Sequence, residues 1–391
     1  MGIFSRKKDE KELALVFDIR SSSVGGAFFE IQKNGVPKII LSIREPIIFE
    51  TEVNIDRFLS LTIKSLEIVA SKLCMMGMGK PAKIFCVLSS PWHASQTRVI
   101  KLEKNTPFLF TSKLADDLIK KEINLFEDEH LKNFSNANNK TRLIEFKNMK
   151  TLLNGYQTSN PFNKKTRKLE MVVFLSIGGD QILKKIEETI FRHFHSNDIR
   201  FSSFVMASFV VSRDMFLDQD SFLLVDIGGE ITDISMIKKD ILNDSISYPL
   251  GYNFMIRKIA ESLNCTLGEA KSLISLYKDD HIEESAEKKL EPIISKLKME
   301  WLKGFQESLV NLSNDISIPA TVFITVDQDL ADFFSKIIKS EQFNQYTLSE
   351  SEFKIIFLGI QTLHNITTFK ENVMRDPFII IESIYINRFI C

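Results

Sequence analysis

The sequence is poor in cysteine and tryptophan, and it has neither a long apolar run nor a strong charge of either sign. Its four cysteines lie far apart and form no CxxC pair, so we expect reduced thiols in a cytoplasmic protein and no zinc site. The 50 basic and 51 acidic side chains leave a net charge of −1, which argues against a nucleic-acid-binding face. Because no signal-peptide pattern and no apolar run of about 18 residues occurs, we expect no segment that crosses a bilayer.

The length of the chain points to more than one compact unit. A chain of 391 residues, 44% of them hydrophobic, exceeds what one hydrophobic core usually organises. We therefore expect two or more lobes.

The stretch Phe222–Ile237, FLLVDIGGEITDISMI, predicts a β-hairpin whose turn can reach a phosphate. An apolar strand leads to Asp226, and Gly228 and Gly229 lack the Cβ atoms that would keep an anion away from backbone N–H groups. Asp226 can hold Mg²⁺ through water, and the hydroxyl of Thr232 can donate to a phosphate oxygen. An ordinary hairpin turn capped by the aspartate is the competing interpretation.

A related stretch opens the chain. Leu13–Ile31, LALVFDIRSSSVGGAFFEI, again runs from an apolar strand through Asp-Ile and a turn of small residues to a second apolar strand. Two such units indicate a duplicated half, in which each copy offers a loop to one ligand bound between them.

The segments DIRSSSV and DIGGEITDIS, in this order, resemble the two phosphate loops of the actin/Hsp70/sugar-kinase superfamily. Tyr248–Ala260, YPLGYNFMIRKIA, is similar to the glycine-then-helix segment that follows the second loop in the bacterial actin homologues FtsA and PilM. Met206–Ser208 is similar to the start of that family's connecting helix, and the resemblance covers roughly residues 12–360. It implies an α/β fold of the actin-like ATPase type, with two lobes of duplicated RNase H-like halves and an inserted α+β subdomain often called SHS2.

The resemblance and the composition together divide the chain into five segments. The expected segments are a flexible basic N-terminus (1–11), part of the first half (12–88), the insert (89–200), the second half (201–360) with a helical region at about 251–318, and an apolar C-terminal tail (361–391). At the N-terminus, Arg6, Lys7 and Lys8 indicate either a frayed basic end or contact with an anionic membrane surface.

Periodicity and turn residues predict the regular elements within these segments. The strands expected after the first hairpin are Lys38–Arg44, Lys83–Leu88, Thr97–Leu102, Thr141–Phe146, Leu169–Ile177, Thr321–Val326 and Lys354–Leu358. The expected helices are Ile55–Leu73, Ser112–Phe126, Gln181–Phe194, Gly251–Leu263, Leu267–Tyr277, Glu283–Leu312 and Leu330–Lys339. Pro292 predicts a break or a new start in the long helix, and polar residues predict exposed loops at 127–140 and 155–168.

The resemblance implies a nucleotide site between the two loops, with ATP and Mg²⁺ as the ligand. The residues implied are Asp18 and Asp226 for Mg²⁺ through water, Ser21, Ser22, Gly228 and Gly229 as the phosphate cradle, Thr232 as a donor to the terminal phosphate, and Gly251 and Asn253 near the nucleoside. The alternative is that these loops survive only as hinge turns of a folded scaffold.

Three positions depart from the family pattern. The residue after Asp-Ile in the first loop is Arg20 where the family has glycine, and its guanidinium either binds phosphate or fills the nucleotide site. Phe204 stands where the family usually has the acidic residue that orients water, and Asp327 follows a late strand where the family has glycines under the adenosine. Both changes predict weakened or lost ATP hydrolysis, with no confident catalytic residue.

The tail Asp376–Cys391, DPFIIIESIYINRFIC, is too apolar for a free polar terminus and too short for a membrane span. Three interpretations remain open: a segment packed on the protein's own lobe, a segment that docks a partner, and an anchor on the membrane surface like the one at the C-terminus of FtsA.

The function implied by the resemblance is that of a bacterial cell-division scaffold of the FtsA kind. It would recruit or polymerise with partners at the cytoplasmic face of the membrane. A PilM-like protein of type IV pilus assembly is the alternative, and a working actin-fold ATPase or kinase is another. The expected partners are FtsZ-like or PilN-like proteins, with self-association into filaments and peripheral membrane contact as further expectations and no nucleic acid.

Overall fold

The computed structural model describes residues 12–133, 140–279, 281–313, 317–326, 330–339 and 353–390. In chain order the strands are β1 (Leu13–Ile19), β2 (Ser23–Glu30), β3 (Lys38–Pro46), β4 (Lys83–Leu88), β5 (His93–Phe110), β6 (Thr141–Leu153), β7 (Tyr156–Gln157), β8 (Lys164–Gly179), β9 (Ile199–Ser203), β10 (Phe222–Ile227), β11 (Thr232–Lys238), β12 (Ile241–Tyr248), β13 (Thr321–Val326), β14 (Lys354–Phe357) and β15 (Thr368–Phe369).

The helices surround and separate the sheets. In chain order they are α1 (Ile55–Met75), α2 (Ser112–Asn133), α3 (Asp180–Phe194), α4 (Phe204–Met215), α5 (Tyr252–Leu263), α6 (Leu267–Lys278), α7 (Glu284–Ser313), α8 (Ala331–Lys339), α9 (Ile360–Leu363) and α10 (Pro377–Ile390).

Two of the sheets follow the same strand plan. In the first sheet, β3, β2 and β1 are antiparallel neighbours, and β4 and β9 continue the sheet in parallel on the far side of β1. In the second sheet, β12, β11 and β10 are antiparallel neighbours, and β13 and β14 continue it in parallel beyond β10. The predicted duplication into two halves is therefore confirmed by the sheet topology.

The helices cover these two sheets in layers. Helices α1 and α3 cover the outer face of the first sheet, and α5 to α8 cover the outer face of the second. Helices α4 and α10 lie between the two sheets in one shared core. Strands that are buried on both faces read as continuous apolar runs, and this is why LALVF and FLLV were recognisable in the sequence.

The inserted subdomain is a four-stranded sheet in the order β5-β8-β6-β7, with α2 packed on one face. Its long strands run beyond their predicted ends because they pair with each other over most of their length. The sequence grouped all of 89–200 with this insert. In the structure α3 buries Leu183, Ile186 and Ile190 against the first half, and β9 pairs with β4 in the first sheet. Periodicity predicted the α3 helix but carried no information on which lobe it covers.

Helix α7 does not break at Pro292, so the break expected from the sequence is absent. Buried side chains on both sides of the proline, Leu290 and Ile294, hold the helix against the second half. Tertiary packing therefore outweighs the local penalty of the proline. Among the helices in the described parts of the chain, none is both long and apolar enough to cross a membrane.

The apolar tail forms α10 and packs on the protein's own lobes, the first of the three interpretations. From Phe378 to Ile386 its hydrophobic side chains are almost wholly buried between the two sheets. The side-chain amide of Asn387 also bonds to the backbone of Gln32. The Gln32 N–H donates to Asn387 Oδ1 at 2.8 Å, and Asn387 Nδ2 donates to the Gln32 carbonyl oxygen at 3.1 Å. Since these side chains are used inside the protein, they are not available to a membrane surface.

Candidate functional site

The two aspartates proposed for Mg²⁺ occupy equivalent places in the two halves. Asp18 is the second-last residue of β1, and Asp226 is the second-last residue of β10. Each lies in the central strand of its sheet, where the following loop turns towards the other half. The duplicated fold therefore brings both loops to one cleft, as the sequence predicted.

Arg20 crosses this cleft from the first loop to the second half. Its Nη2 donates to Asp226 Oδ1 at 2.5 Å, and its Nη1 donates to Ser89 Oγ at 3.2 Å. The guanidinium lies 3.9 Å from the ring centroid of Phe378 and 4.6 Å from that of Phe204. Burial alone would lower the pKa of Arg20, but Asp226 and Asp18 raise it above its ordinary value. The side chain is therefore a fixed cation inside the cleft.

A second arginine neutralises the other aspartate. The Nη2 of Arg44 donates to Asp18 Oδ2 at 2.6 Å, its Nε donates to Asp376 Oδ2 at 2.6 Å, and its Nη1 donates to Ser23 Oγ at 2.8 Å. Although burial acts against its charge, Asp376 and Asp18 raise the pKa of Arg44 above its ordinary value. Each carboxylate that the resemblance assigned to Mg²⁺ therefore has an arginine as its partner.

The two loops touch each other where a phosphate chain would pass. The backbone N–H of Glu230 donates to Ser21 Oγ at 3.1 Å. A Cβ atom built on Gly228 would lie 2.7 Å from Ser21 Oγ, and one built on Gly229 would lie 2.9 Å from Ser22 Cβ. Neither glycine can therefore carry a side chain while the two loops are this close.

The start of α5 is also occupied by the chain itself. The N–H of Tyr252 donates to the carbonyl oxygen of Gly228 at 3.1 Å, and that of Asn253 donates to Gly229 at 2.8 Å. A Cβ atom on Gly251 would fall 2.3 Å from the same Gly229 oxygen, so this close approach requires glycine. A helix N-terminus can bind an anion through such N–H groups, but here two of them are bonded to loop carbonyls.

The polar side chains of the second loop are turned to internal partners. Thr232 is fully buried, donates to the carbonyl oxygen of Leu250 at 2.8 Å and accepts from Trp301 Nε1 at 3.2 Å. Asn253 Nδ2 donates to Glu230 Oε1 at 2.9 Å, and Glu230 is also paired with Arg257. The candidate residues thus lie at one cleft, but both aspartates are paired with arginines and Thr232 and Asn253 bond within the chain, an arrangement that does not fit a magnesium nucleotide.

The three departures from the family pattern have different outcomes. Arg20 fills the cleft, and Phe204 is fully buried with its ring centroid 5.8 Å from that of Phe378. Asp327 lies outside the described residues.

Sequence reasoning missed Arg44, Asp376 and Glu382 at this site. A usable signal for Arg44 was the Gly25–Gly26 pair in β2, because Gly25 pairs with Asp18 on one side and Arg44 on the other. A Cβ atom on Gly25 would lie 2.7 Å from Arg44 Nη2, so the glycine makes room for the guanidinium. No local signal linked Asp376 or Glu382, both near the C-terminus, to the first loop.

Glu382 is a buried carboxyl group whose pKa is affected by Asp18. In the described parts of the chain, Asp18 Oδ1 and both carboxyl oxygens of Glu382 are buried without an N–H or hydroxyl donor. Burial, and then the charge of Asp18, hold the pKa of Glu382 well above its usual range. The cleft therefore holds a further buried carboxyl group beside the two arginine ion pairs.

We expect Glu382→Gln to stabilise the protein at neutral and higher pH. Above the ordinary glutamate pKa the folded state keeps a proton that the unfolded state has lost, so stability falls as pH rises towards the folded pKa. Glutamine has a similar shape and cannot ionise, which removes this decline. Urea unfolding midpoints from about pH 5 to about pH 8 measure the effect. The exposed Glu371→Gln serves as the control, and equal pH slopes in both variants and the parent would contradict the raised pKa of Glu382.

Comparisons with known proteins reveal relatives only at the level of the fold. No protein-family model and no curated protein sequence matches this chain. A chain of a PilM–PilN type IV pilus biogenesis complex is similar in structure, with a TM-score of 0.58 and 12% identity over 95% of this chain and 97% of that one. A Bacteroides thetaiotaomicron protein with an actin-like ATPase fold and unknown function matches with a TM-score of 0.39 and 11% identity over 96% of each chain. The first likeness and the repeated strand plan together show that this chain has the actin-like ATPase fold.

Proposed function

We propose that this protein is an actin-fold scaffold that docks partner proteins and does not use ATP hydrolysis. The observation that carries the proposal is the bridged cleft, in which Arg20 pairs with Asp226 and Arg44 pairs with Asp18. Catalysis of phosphoryl transfer requires a metal ion and positioned donors around the phosphates. In this chain the two aspartates and the loop N–H groups of Arg20, Gly228 and Glu230 already have internal partners.

Nucleotide entry would require both ion pairs to open. Separating a buried charge from its partner costs about 3–5 kcal/mol, and two such pairs lie in this cleft. The gain from binding would first have to offset that loss. We therefore propose that ATP with Mg²⁺, at residues such as Asp18, Ser21 and Asp226, is at most a weak ligand. The alternative of a working ATPase or kinase is disfavoured for the same reason.

The partner that we propose first is a PilN-like protein of a type IV pilus system. The similar structure is described as a PilM–PilN type IV pilus biogenesis complex, which supports a protein partner of this kind. The sequence had placed a cell-division role with an FtsZ-like partner first, and no observation in the structure favours it over pilus assembly. Because the apolar tail is buried, we propose that a partner, and not α10, brings the protein to the cytoplasmic face of the membrane.

The inserted subdomain is the surface that we propose for this docking. Its strand β5 lies at the edge of the four-stranded sheet. Edge strands present unpaired N–H and C=O groups that can pair with a strand of another chain. Val99 and Leu109 on β5 are also 49% and 48% exposed. A sheet edge and exposed apolar side chains therefore occur together on this strand, whose first part also contacts β12 through Thr97.

The test has a partner arm and a nucleotide arm. In the first, a photo-reactive phenylalanine analogue at position 99 should cross-link in cells to a membrane-associated assembly protein. The same analogue at Leu217, which is 84% exposed outside the insert, should not. In the second, calorimetric titration of Mg-ATP should give no binding at micromolar concentration. Identical adducts at both positions would contradict the docking surface, and micromolar binding that Asp226→Ala abolishes would contradict the bridged cleft.

A further inference from the structure

A polar cavity of about 420 Å³ lies beside the bridged cleft, where three parts of the fold meet. The first half contributes Ser89 and Ser90, the insert contributes His93 on β5, and the second half contributes Asp233 and Ser247 on neighbouring strands. Asp226 and Ser89, which hold Arg20, line the cavity, whereas Arg20 itself does not. Its volume is within the range of small-molecule sites, which begins at about 300 Å³.

The charge of this cavity is negative and only partly compensated. Asp233 Oδ1 accepts hydrogen bonds from Ser90 Oγ at 2.8 Å and from Ser247 Oγ. Within the described ranges, no lysine, arginine or histidine nitrogen lies within 4.0 Å of the Asp233 or Asp244 carboxylate. Burial, and then the charge of Asp226, raise the pKa of Asp233 to about 6, so it is mostly ionised at neutral pH. Two carboxylates thus face one cavity without a cation of their own.

His93 adds two unpartnered polar atoms to the lining of this cavity. Both ring nitrogens are buried, and neither has a hydrogen-bond partner among the residues that the structure describes. Burial lowers the pKa of His93 to about 4, so the ring is neutral at pH 7 and one nitrogen is an acceptor. Buried polar atoms in native proteins nearly always have a partner, either protein or water or ligand. A ligand with N–H donors would satisfy the acceptor nitrogen of this ring.

We propose that the cavity binds an organic cation with one or two ammonium or guanidinium groups. The cation's N–H donors would pair with the Asp233 carboxylate, with the hydroxyl oxygens of Ser90 and Ser247, and with a ring nitrogen of His93. A metal ion fits less well, because no group of three or more metal-ligating side chains occurs in the described parts of the chain. The proposal differs from the docking role in its observations, because it rests on the cavity's unpaired carboxylates and His93 and not on the exposed side chains of β5.

Two kinds of molecule could supply this ammonium or guanidinium group. One is a free di- or polyamine, and the other is a lysine or arginine side chain of a partner protein. Calorimetric titrations of the full-length protein with putrescine, spermidine, Nα-acetyl-lysine amide and Nα-acetyl-arginine amide distinguish them. Tight binding of putrescine or spermidine, without binding of the capped amino acids, identifies a free amine. Binding of the capped amino acids at comparable affinity identifies a side chain. Absence of binding by all four probes overturns the proposal.

Two variants locate the binding in this cavity. Asp233→Asn keeps the shape and the hydroxyl partners but removes the charge, and it should weaken binding about tenfold or more. His93→Phe keeps a ring and removes the acceptor nitrogen, and it should weaken binding about threefold to tenfold. Asp218→Asn changes the charge equally at an exposed position outside the cavity and should leave binding unchanged. Equal affinities in the parent, Asp233→Asn and His93→Phe would overturn the proposal.

Discussion

Replacing Arg20 by methionine should lower the free energy of unfolding by about 3–5 kcal/mol. The guanidinium is almost fully buried, and its loss leaves Asp226 with the hydroxyl of Thr325, at 2.7 Å, as its remaining donor in the described parts of the chain. Methionine has a similar length and can pack between the rings of Phe204 and Phe378. The expected loss therefore comes mainly from the uncompensated charge. Urea unfolding monitored by circular dichroism measures it.

A double variant and a surface control separate this charge effect from packing. Adding Asp226→Asn to Arg20→Met removes the unpaired charge, so the double variant should regain part of the lost stability. Arg57→Met removes an arginine that is 59% exposed and paired with Glu50, and it should change stability by less than about 1 kcal/mol. If Arg20→Met behaves like Arg57→Met, the ion pair does not hold the cleft closed.

The two buried arginines also define how the halves are joined. Arg20 belongs to the loop after β1 and binds Asp226 of β10, so its ion pair links the first half directly to the second. Arg44 of β3 binds both Asp18 and Asp376, so its ion pairs link the first sheet to the residue just before α10. Side chains of the protein itself therefore join the two halves at this cleft.

The sequence predicted the parts of this fold that depend on local pattern. The two hairpins after LALVFD and FLLVD, the small-residue turns and the helix after Gly251 follow from apolar runs, glycine positions and helical periodicity. The match between the two hairpins was enough to predict the duplication. The predicted resemblance to an actin-like fold is confirmed by the likeness to a chain of the PilM–PilN complex.

The parts that the sequence did not predict depend on contacts between distant residues. Arg20 was recognised as unusual, but its partner, 206 positions away, was not identified from local spacing. The same is true of Arg44 and Asp376, which are separated by 332 positions. For α10 the apolar composition predicted that the segment is covered by the protein itself, by a partner or by a membrane. Only the three-dimensional packing distinguished a core helix from the other two. The site is therefore defined by ion pairs between residues that are far apart in the sequence, and local sequence patterns do not predict such pairs.

Removing residues 377–391 should prevent the chain from folding. Helix α10 places seven hydrophobic side chains in the core between the two sheets, and these are Phe378, Ile379, Ile380, Ile381, Ile384, Tyr385 and Ile386. Loss of one buried isoleucine side chain costs about 2–5 kcal/mol, and a whole protein is stable by only about 5–15 kcal/mol. Deleting all seven exceeds that margin. Loss of soluble, cooperatively unfolding protein on expression of the truncated chain is the expected result.

A single substitution tests the same packing in a chain that still folds. Ile384→Ala should lower the free energy of unfolding by about 2–5 kcal/mol, because the side chain is wholly buried between the sheets. Ile55→Ala removes the same atoms from a side chain that is 77% exposed and should change stability by less than about 0.5 kcal/mol. A membrane anchor would behave in the opposite way, since Ile384→Ala would then leave stability unchanged and reduce co-sedimentation with anionic liposomes. Because a buried isoleucine cannot insert into lipid while the protein is folded, a large loss of stability with unchanged liposome binding assigns α10 to the core.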